Sequence, residues 1–260
     1  MTNHKNPLLK EGNDDLPVGR VLRRREVLAL LGTAGAAFTA YAGNLPKAAT
    51  GTMVASRSLA GLPSCVVKPE LTEGPYFVDE KLLRSDVRSD PATKAVSAGV
   101  PLRLNFLVSK VSEAGCAVLP GATIDIWHCD ANGKYSDESA NNTVGQKFLR
   151  GYQVTDAKGT ASFLTVYPGW YGGRAVHIHF KIRGKDSAGK SYEFTSQLFF
   201  DDTLTDAVYL NNAIYSARGT RSQRNTNDGI YRNGGSQLLL NLERDGTGYA
   251  STFEIGLQVK

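Results

Sequence analysis

Two histidines, His177 and His179, stand on either side of one isoleucine, with Tyr171 and Arg174 just upstream. On an extended strand that spacing sends both imidazoles to one face, their Cβ atoms about 7 Å apart, within reach of a single metal ion, while Ile178 points the opposite way into a core. The same alternation also suits two strand histidines that only hydrogen-bond. Tyr171 follows the Pro168-Gly169 turn and Tyr135 follows Asn132-Gly133, so each phenol is carried past a turn, where side chains can lean over a site. A plainer reading of both tyrosines is ring packing with the hydroxyls in water. Arg174 reads as a surface cation or a site cation, and Gln197 as a half-buried strand residue or a pocket donor. No Asp or Glu lies between Tyr167 and Lys181. The two-histidine, one-carboxylate arrangement of ferrous oxygenases therefore lacks its local carboxylate, and any anionic ligand has to come from elsewhere in the fold.

What positions these residues is a set of short strands. “PLRLNFLVS” (101–109) alternates, “GATIDIWHCD” (121–130) is β-branched behind a glycine turn, and “TASFLTVYPG” (160–169) alternates up to a Pro-Gly stop. “AVHIHFKI” (175–182) and “SYEFTSQLFF” (191–200) flank “RGKDSAGK”, read as a hairpin loop, and “STFEIGLQV” (251–259) closes the chain. With little helical periodicity between them, these segments predict an all-β sandwich, immunoglobulin- or transthyretin-like, with its site at the loop end.

Composition sets the frame. The chain has 260 residues, 41% of them hydrophobic and 21% charged, which suits one ordinary domain. Residues 1–42 read as a twin-arginine export signal: Arg24-Arg25 lead into an apolar run that ends in Ala40-Tyr41-Ala42, too short and too glycine-rich for a stable membrane anchor. Residues 43–64 read as a flexible leader and 65–260 as the folded domain, in a periplasmic or extracellular setting. Removing residues 1–42 takes away six basic and four acidic side chains, so the formal charge of +5 falls to +3, and no nucleic-acid partner is implied. Cys65, Cys116 and Cys129 allow one disulfide with one thiol left over, the pairing open, or three small buried residues.

Five segments taken in order carry a family resemblance: “TEGPYF” (72–77), “LPGATIDIWHCDANGKYSD” (119–137), “LRGYQVTDAKGTASFLTVYPGWYGGRAVHIHFKI” (149–182), “TSQLFFDD” (195–202) and “NDGIY” (227–231). The chain from about Cys65 onward resembles the intradiol ring-cleaving dioxygenases, the family of protocatechuate 3,4-dioxygenase and catechol 1,2-dioxygenase. The resemblance implies one non-haem Fe(III) per chain, held by Tyr135, Tyr171, His177 and His179. Two phenolates and a hydroxide would neutralise the ferric charge and the neutral imidazoles would complete the site, with Tyr171 the phenolate that a chelating diol displaces and Tyr135 the one that stays. It further implies Arg174 and Gln197 as polar active-site residues, Gly74, Pro75 and Tyr76 at the substrate pocket, and a small aromatic diol and O2 as partners, joined in a muconate-type diacid. His128 matches no ligand position and is read as structural, and Trp127 and Trp170 as core or pocket wall. The N-terminal helical domain of the catechol branch finds no room after signal and leader, and the oligomeric state stays open, a homo-oligomer included.

Two rival readings come from other classes. “YQVTDAKGTASFLTVYPGWY” resembles transthyretin-like modules that bind carbohydrate or protein without metal. A zinc hydrolase built on His177 and His179 would lack a nearby carboxylate or thiolate ligand.

Overall fold

The computed structural model describes residues 66–113 and 115–259; the expected signal, the leader and Cys65 lie outside them. Among the described residues the chain order is β1 (Pro101–Ser112), β2 (Gly115–Val118), β3 (Thr123–Trp127), β4 (Arg150–Val154), β5 (Thr160–Val166), β6 (His177–Lys185), β7 (Ser191–Phe199), helices α1 (Asp202–Leu210), α2 (Ala213–Ser216) and α3 (Gly229–Arg232), then β8 (Glu243–Asp245) and β9 (Gly248–Leu257). One sheet runs β2-β1-β9-β8, with β5 also paired to β1; the other runs β4-β3-β6-β7 and is antiparallel throughout. β1 and β9 pair in parallel, so the last strand closes on the first.

The sandwich forms because alternate residues of each sheet meet. Leu102, Leu104, Phe106 and Val108 of β1 are fully buried, one every second position. Phe106 packs against Phe180 of the facing sheet at 5.4 Å between ring centroids, and Phe180 against Phe253 of β9 at 5.5 Å. Burial of each such ring contributes about 2–3 kcal/mol, which fixes which face of every strand turns inward.

Three departures from the sequence expectation have local causes. The loop expected at 183–190 shortens to 186–190, because β6 and β7 stay paired out to Lys185↔Ser191 and Asp186 turns the chain by accepting the Ala188 and Lys190 amides. The short edge strands β2 and β8 and the strand β4 carry too few alternating residues to stand out. Helix α1 follows β7 directly: Asp201 caps it, its carboxylate accepting the Leu204 amide at 2.8 Å, and Val208 and Tyr209 turn into the core. No described helix is long and apolar enough to cross a membrane.

Residues 69–84 form no regular element but cross the outer face of the β4-β3-β6-β7 sheet from edge to edge. Leu71 bonds to Thr195 on β7, Asp79 meets Arg183 on β6, Phe77 packs on Trp127 of β3, and Leu82 and Arg84 bond to Tyr152 on β4. This strap covers both free edges of the sheet and roofs its outer face.

Candidate metal centre

The site is built on one transverse row of that outer face. Register places Arg150 (β4) beside Trp127 (β3), Trp127 beside His179 (β6), and His179 beside Gln197 (β7). Period-two alternation puts His177 on the same face, paired with Phe199 at the strand end. This row lies at the loop end of the sheet, between its outer face and the strap and not between the two sheets.

Around the Nε2 atom of His177 four groups converge: Nε2 of His179 at 3.0 Å, the phenol oxygen of Tyr171 at 3.2 Å, that of Tyr135 at 3.4 Å, and Nη1 of Arg174 at 3.5 Å. The Nδ1 atom of His177 lies 2.6 Å from the Ala175 carbonyl. A carbonyl only accepts, so Nδ1 carries the proton and Nε2 presents its lone pair to the cluster. Burial holds both imidazoles far below their usual pKa, and the neighbouring Arg174 adds to the effect, so both rings are neutral. Burial also raises both phenols above the usual tyrosine range, Tyr135 the more enclosed of the two.

Could these residues hold a metal? One lone pair faces more donors than it can accept, and the buried Nδ1 of His179 has no hydrogen-bond partner among the described residues. Two neutral imidazoles and two phenols that share one point suit a hard, highly charged cation, which would draw the protons off the phenols and use every donor at once. Among the described residues no three of His, Cys, Asp and Glu gather, so a zinc site of the usual ligand types is absent. The residues present fit ferric iron.

The walls are aromatic. Tyr76 stacks on Tyr135 at 4.2 Å and meets Tyr171 edge-on at 6.2 Å; Trp127 lies flat on His179 at 5.0 Å. Gly74, at φ +68°, brings the strap against His179, where an added Cβ would stand 3.3 Å from the ring. Pro75 next to it is exposed. The sequence expectation thus finds Tyr135, Tyr171, His177, His179, Arg174, Gln197, Gly74 and Tyr76 in one place.

Arg174 is held from two sides. Its Nε donates to Asp228 at 3.0 Å and its Nη2 to the Gln197 side-chain oxygen at 2.5 Å. Gln197 is fully buried and its amide nitrogen donates to the Thr72 carbonyl, so both ends of its side chain are engaged and it acts on the cluster through Arg174. Asp228 also accepts the Ala175 amide and caps α3 through the Ile230 and Tyr231 amides. Sequence reading quoted Asp228 within “NDGIY” but gave it no role; its signal was an Asp-Gly start to a short helix. Arg150 likewise lies within the quoted segment 149–182 and carries no role in the sequence reading.

The residues expected to be structural are so placed. His128 is fully buried between the Cys129 carbonyl (2.8 Å) and the Thr165 hydroxyl (2.6 Å). Cys116 is disulfide-bonded and Cys129 is a buried free thiol.

The chain is similar to known dioxygenases. A family model described as Dioxygenase matches residues 72–229. The chlorocatechol 1,2-dioxygenase of Cupriavidus pinatubonensis is 28% identical over 156 residues, 52% of this chain and 56% of that protein, and that of Pseudomonas putida is 29% identical over the same length. The chain thus spans about half the length of the curated relatives it matches. Among solved structures, an intradiol ring-cleavage dioxygenase from Tetranychus urticae is 28% identical with a TM-score of 0.61, covering 75% of this chain and 94% of that one. The dioxygenase domain of a carbohydrate-binding fusion from Streptomyces sp. SirexAA-E is also 28% identical, TM-score 0.54, covering 75% and 100%.

Proposed function

This chain belongs to the intradiol ring-cleavage dioxygenase family, and from that premise we propose that it joins O2 to a catechol-type aromatic diol and opens the ring between the two hydroxylated carbons to a muconate-type diacid. The observation that carries the proposal is the convergence of two phenol oxygens and the Nε2 of His179 within 3.0–3.4 Å of the His177 Nε2. Tyr135, Tyr171, His177 and His179 would hold one non-haem ferric ion. That ion would withdraw electron density from the chelated diol and open its ring to O2.

The chain’s own groups do the rest. Tyr171, on the loop that leads into β6, is the phenol placed to yield, its oxygen taking a hydroxyl proton of the incoming diol. Tyr135, fully buried and stacked under Tyr76, stays in place. Arg174 presents a fixed cation where negative charge builds up on the ring, held ready by Asp228 and Gln197 so that no reorganisation is needed at the moment of reaction. The strap and the Tyr76 ring would flank the diol and shield it from water. Gly74, Pro75 and Tyr76 would border the ring, and the metal-free binding module has no use for the converged donors.

Purified protein loaded with ferric iron is expected to hold about one ion per chain and to be red from phenolate charge transfer. With a panel of catechols under isotopically labelled O2, mass spectrometry is expected to find both labelled atoms in the diacid, one in each new carboxylate. A yellow semialdehyde, or a protein that stays colourless and iron-free, would overturn the proposal.

We also propose that residues 1–42 direct export by the twin-arginine route, which carries folded proteins and so allows iron to be loaded first. Replacing Arg24 and Arg25 by Lys is expected to strand the precursor inside the cell; unchanged export of that variant refutes the reading.

A further inference from the structure

Two arginines among the described residues are nearly fully buried, Arg150 and Arg221, and they are treated differently. Arg221 is neutralised by Asp202 and Asp206. Arg150, 2% exposed, has no carboxylate in contact: its Nε donates to the Ser136 hydroxyl at 2.8 Å, its Nη2 to the Ser136 carbonyl at 2.6 Å and its Nη1 to the Tyr76 carbonyl at 2.5 Å. All three acceptors are neutral. A buried guanidinium satisfied only by neutral oxygens carries a desolvation penalty that no anion offsets. The carboxylates that act on it, Glu80, Asp137 and Glu138, do so without contact.

Its contacts are equally specific. Ser136 follows Tyr135 in the chain, and its hydroxyl passes a hydrogen bond on to the Phe148 carbonyl at 2.7 Å. Tyr76 is the ring stacked on Tyr135. One planar fork therefore joins the loop that carries Tyr135 to the strap that covers it, and it does so from the same transverse row that carries His179. A lysine could supply the charge but not the three directed bonds.

We propose that Arg150 is a positioning residue of the metal centre with two separable actions. Its charge is a fixed cation held against the residue that follows Tyr135, and its fork clamps Tyr76 over the Tyr135 ring. This rests on the proposed ferric site. The charge acts through space on the metal, so removing it makes the ferric state easier to keep and lowers the ferric/ferrous potential. Removing only the fork leaves the potential alone and loosens the strap, which a substrate meets as a raised KM.

The test uses iron-loaded wild type, Arg150→Met and Arg150→Lys, with folding followed by circular dichroism, the potential by redox titration and the phenolate band by visible absorption. Arg150→Met is expected to lower the potential and shift the band. Arg150→Lys is expected to keep both near wild type while raising KM several-fold with kcat largely retained. Equal potentials in all three proteins, or equal shifts in the two variants, would overturn the proposal while leaving the ferric site standing. Wild type that takes up no iron would overturn both. Should Arg150→Met fail to fold, Arg150→Lys decides: a potential displaced from wild type sinks the proposal, and an unmoved potential with raised KM upholds it.

Discussion

At the scale of single residues, the cluster separates groups that anchor from groups that exchange. His177 is locked by the Ala175 carbonyl at one nitrogen and offers the other to every ligand in the cluster. Its replacement, His177→Ala, is expected to abolish iron binding, measured as metal content per chain. Tyr171→Phe removes a phenol that is meant to yield and is expected to retain iron while turnover falls steeply; equal iron loss in the two variants contradicts the division. Asp228 makes a separate case. Asp228→Asn keeps an oxygen for the Ala175 amide but removes the charge that holds Arg174. Iron content is expected to be unchanged and kcat to drop about 10- to 100-fold, the range seen when a supporting partner of a catalytic group is lost.

At the scale of elements, the strap and β6 have to approach closely, and Gly74 is where they do. Its φ of +68° lies in the left-handed region, which costs a side-chain-bearing residue roughly 1–2 kcal/mol, and a Cβ there would press on the His179 ring. Gly74→Ala is expected to lower thermal stability by about that amount and to weaken iron binding, because the strain is relieved only by moving the strap or the imidazole. Denaturant melts and iron titration read the two effects separately. A similar approach elsewhere, Gly133 against the Trp170 carbonyl, keeps the Tyr135 loop beside the Tyr171 loop. The turn at Gly133 thus sets how near the two loops that carry the phenols come.

At the scale of the whole molecule, burial of neutral histidines sets the acid response. Burial pushes the His128 pKa down to about 4 from 6.5. Between those values the unfolded chain binds a proton that the folded one excludes, so the stabilisation is fully present above about pH 6.5 and is lost as pH falls towards 4, roughly 3 kcal/mol in all. In the iron-free protein His177 and His179 act in the same direction. Asp125 opposes them: burial pushes its pKa up to about 6 despite the pull of Arg183, so it gains stability as pH falls through that value. Glu70, whose carboxyl burial also raises, acts with Asp125, and three histidines against these two carboxylates leave a net loss. Thermal melts of iron-free protein are expected to fall between pH 7 and 5, and His128→Gln to show a shallower fall from a lower starting point.

Much of this was legible in the sequence, for a local reason. Period-two alternation is enforced by the backbone itself, so six of the nine described strands, the shared face of His177 and His179 and the inward Ile178 follow from residue order, and the motif order carried the family resemblance. The helix α1, the short strands and the strap were not legible, because each is held by partners far along the chain: Thr195, Arg183 and Tyr152 for the strap, Arg221 for α1. Only the tertiary structure decided which sheet face carries the site. It also set Arg150, Trp127, His179 and Gln197 in one row and gave Arg174 its Asp228. Register between strands depends on how two sheets bury their apolar faces against each other, and no single segment contains that information.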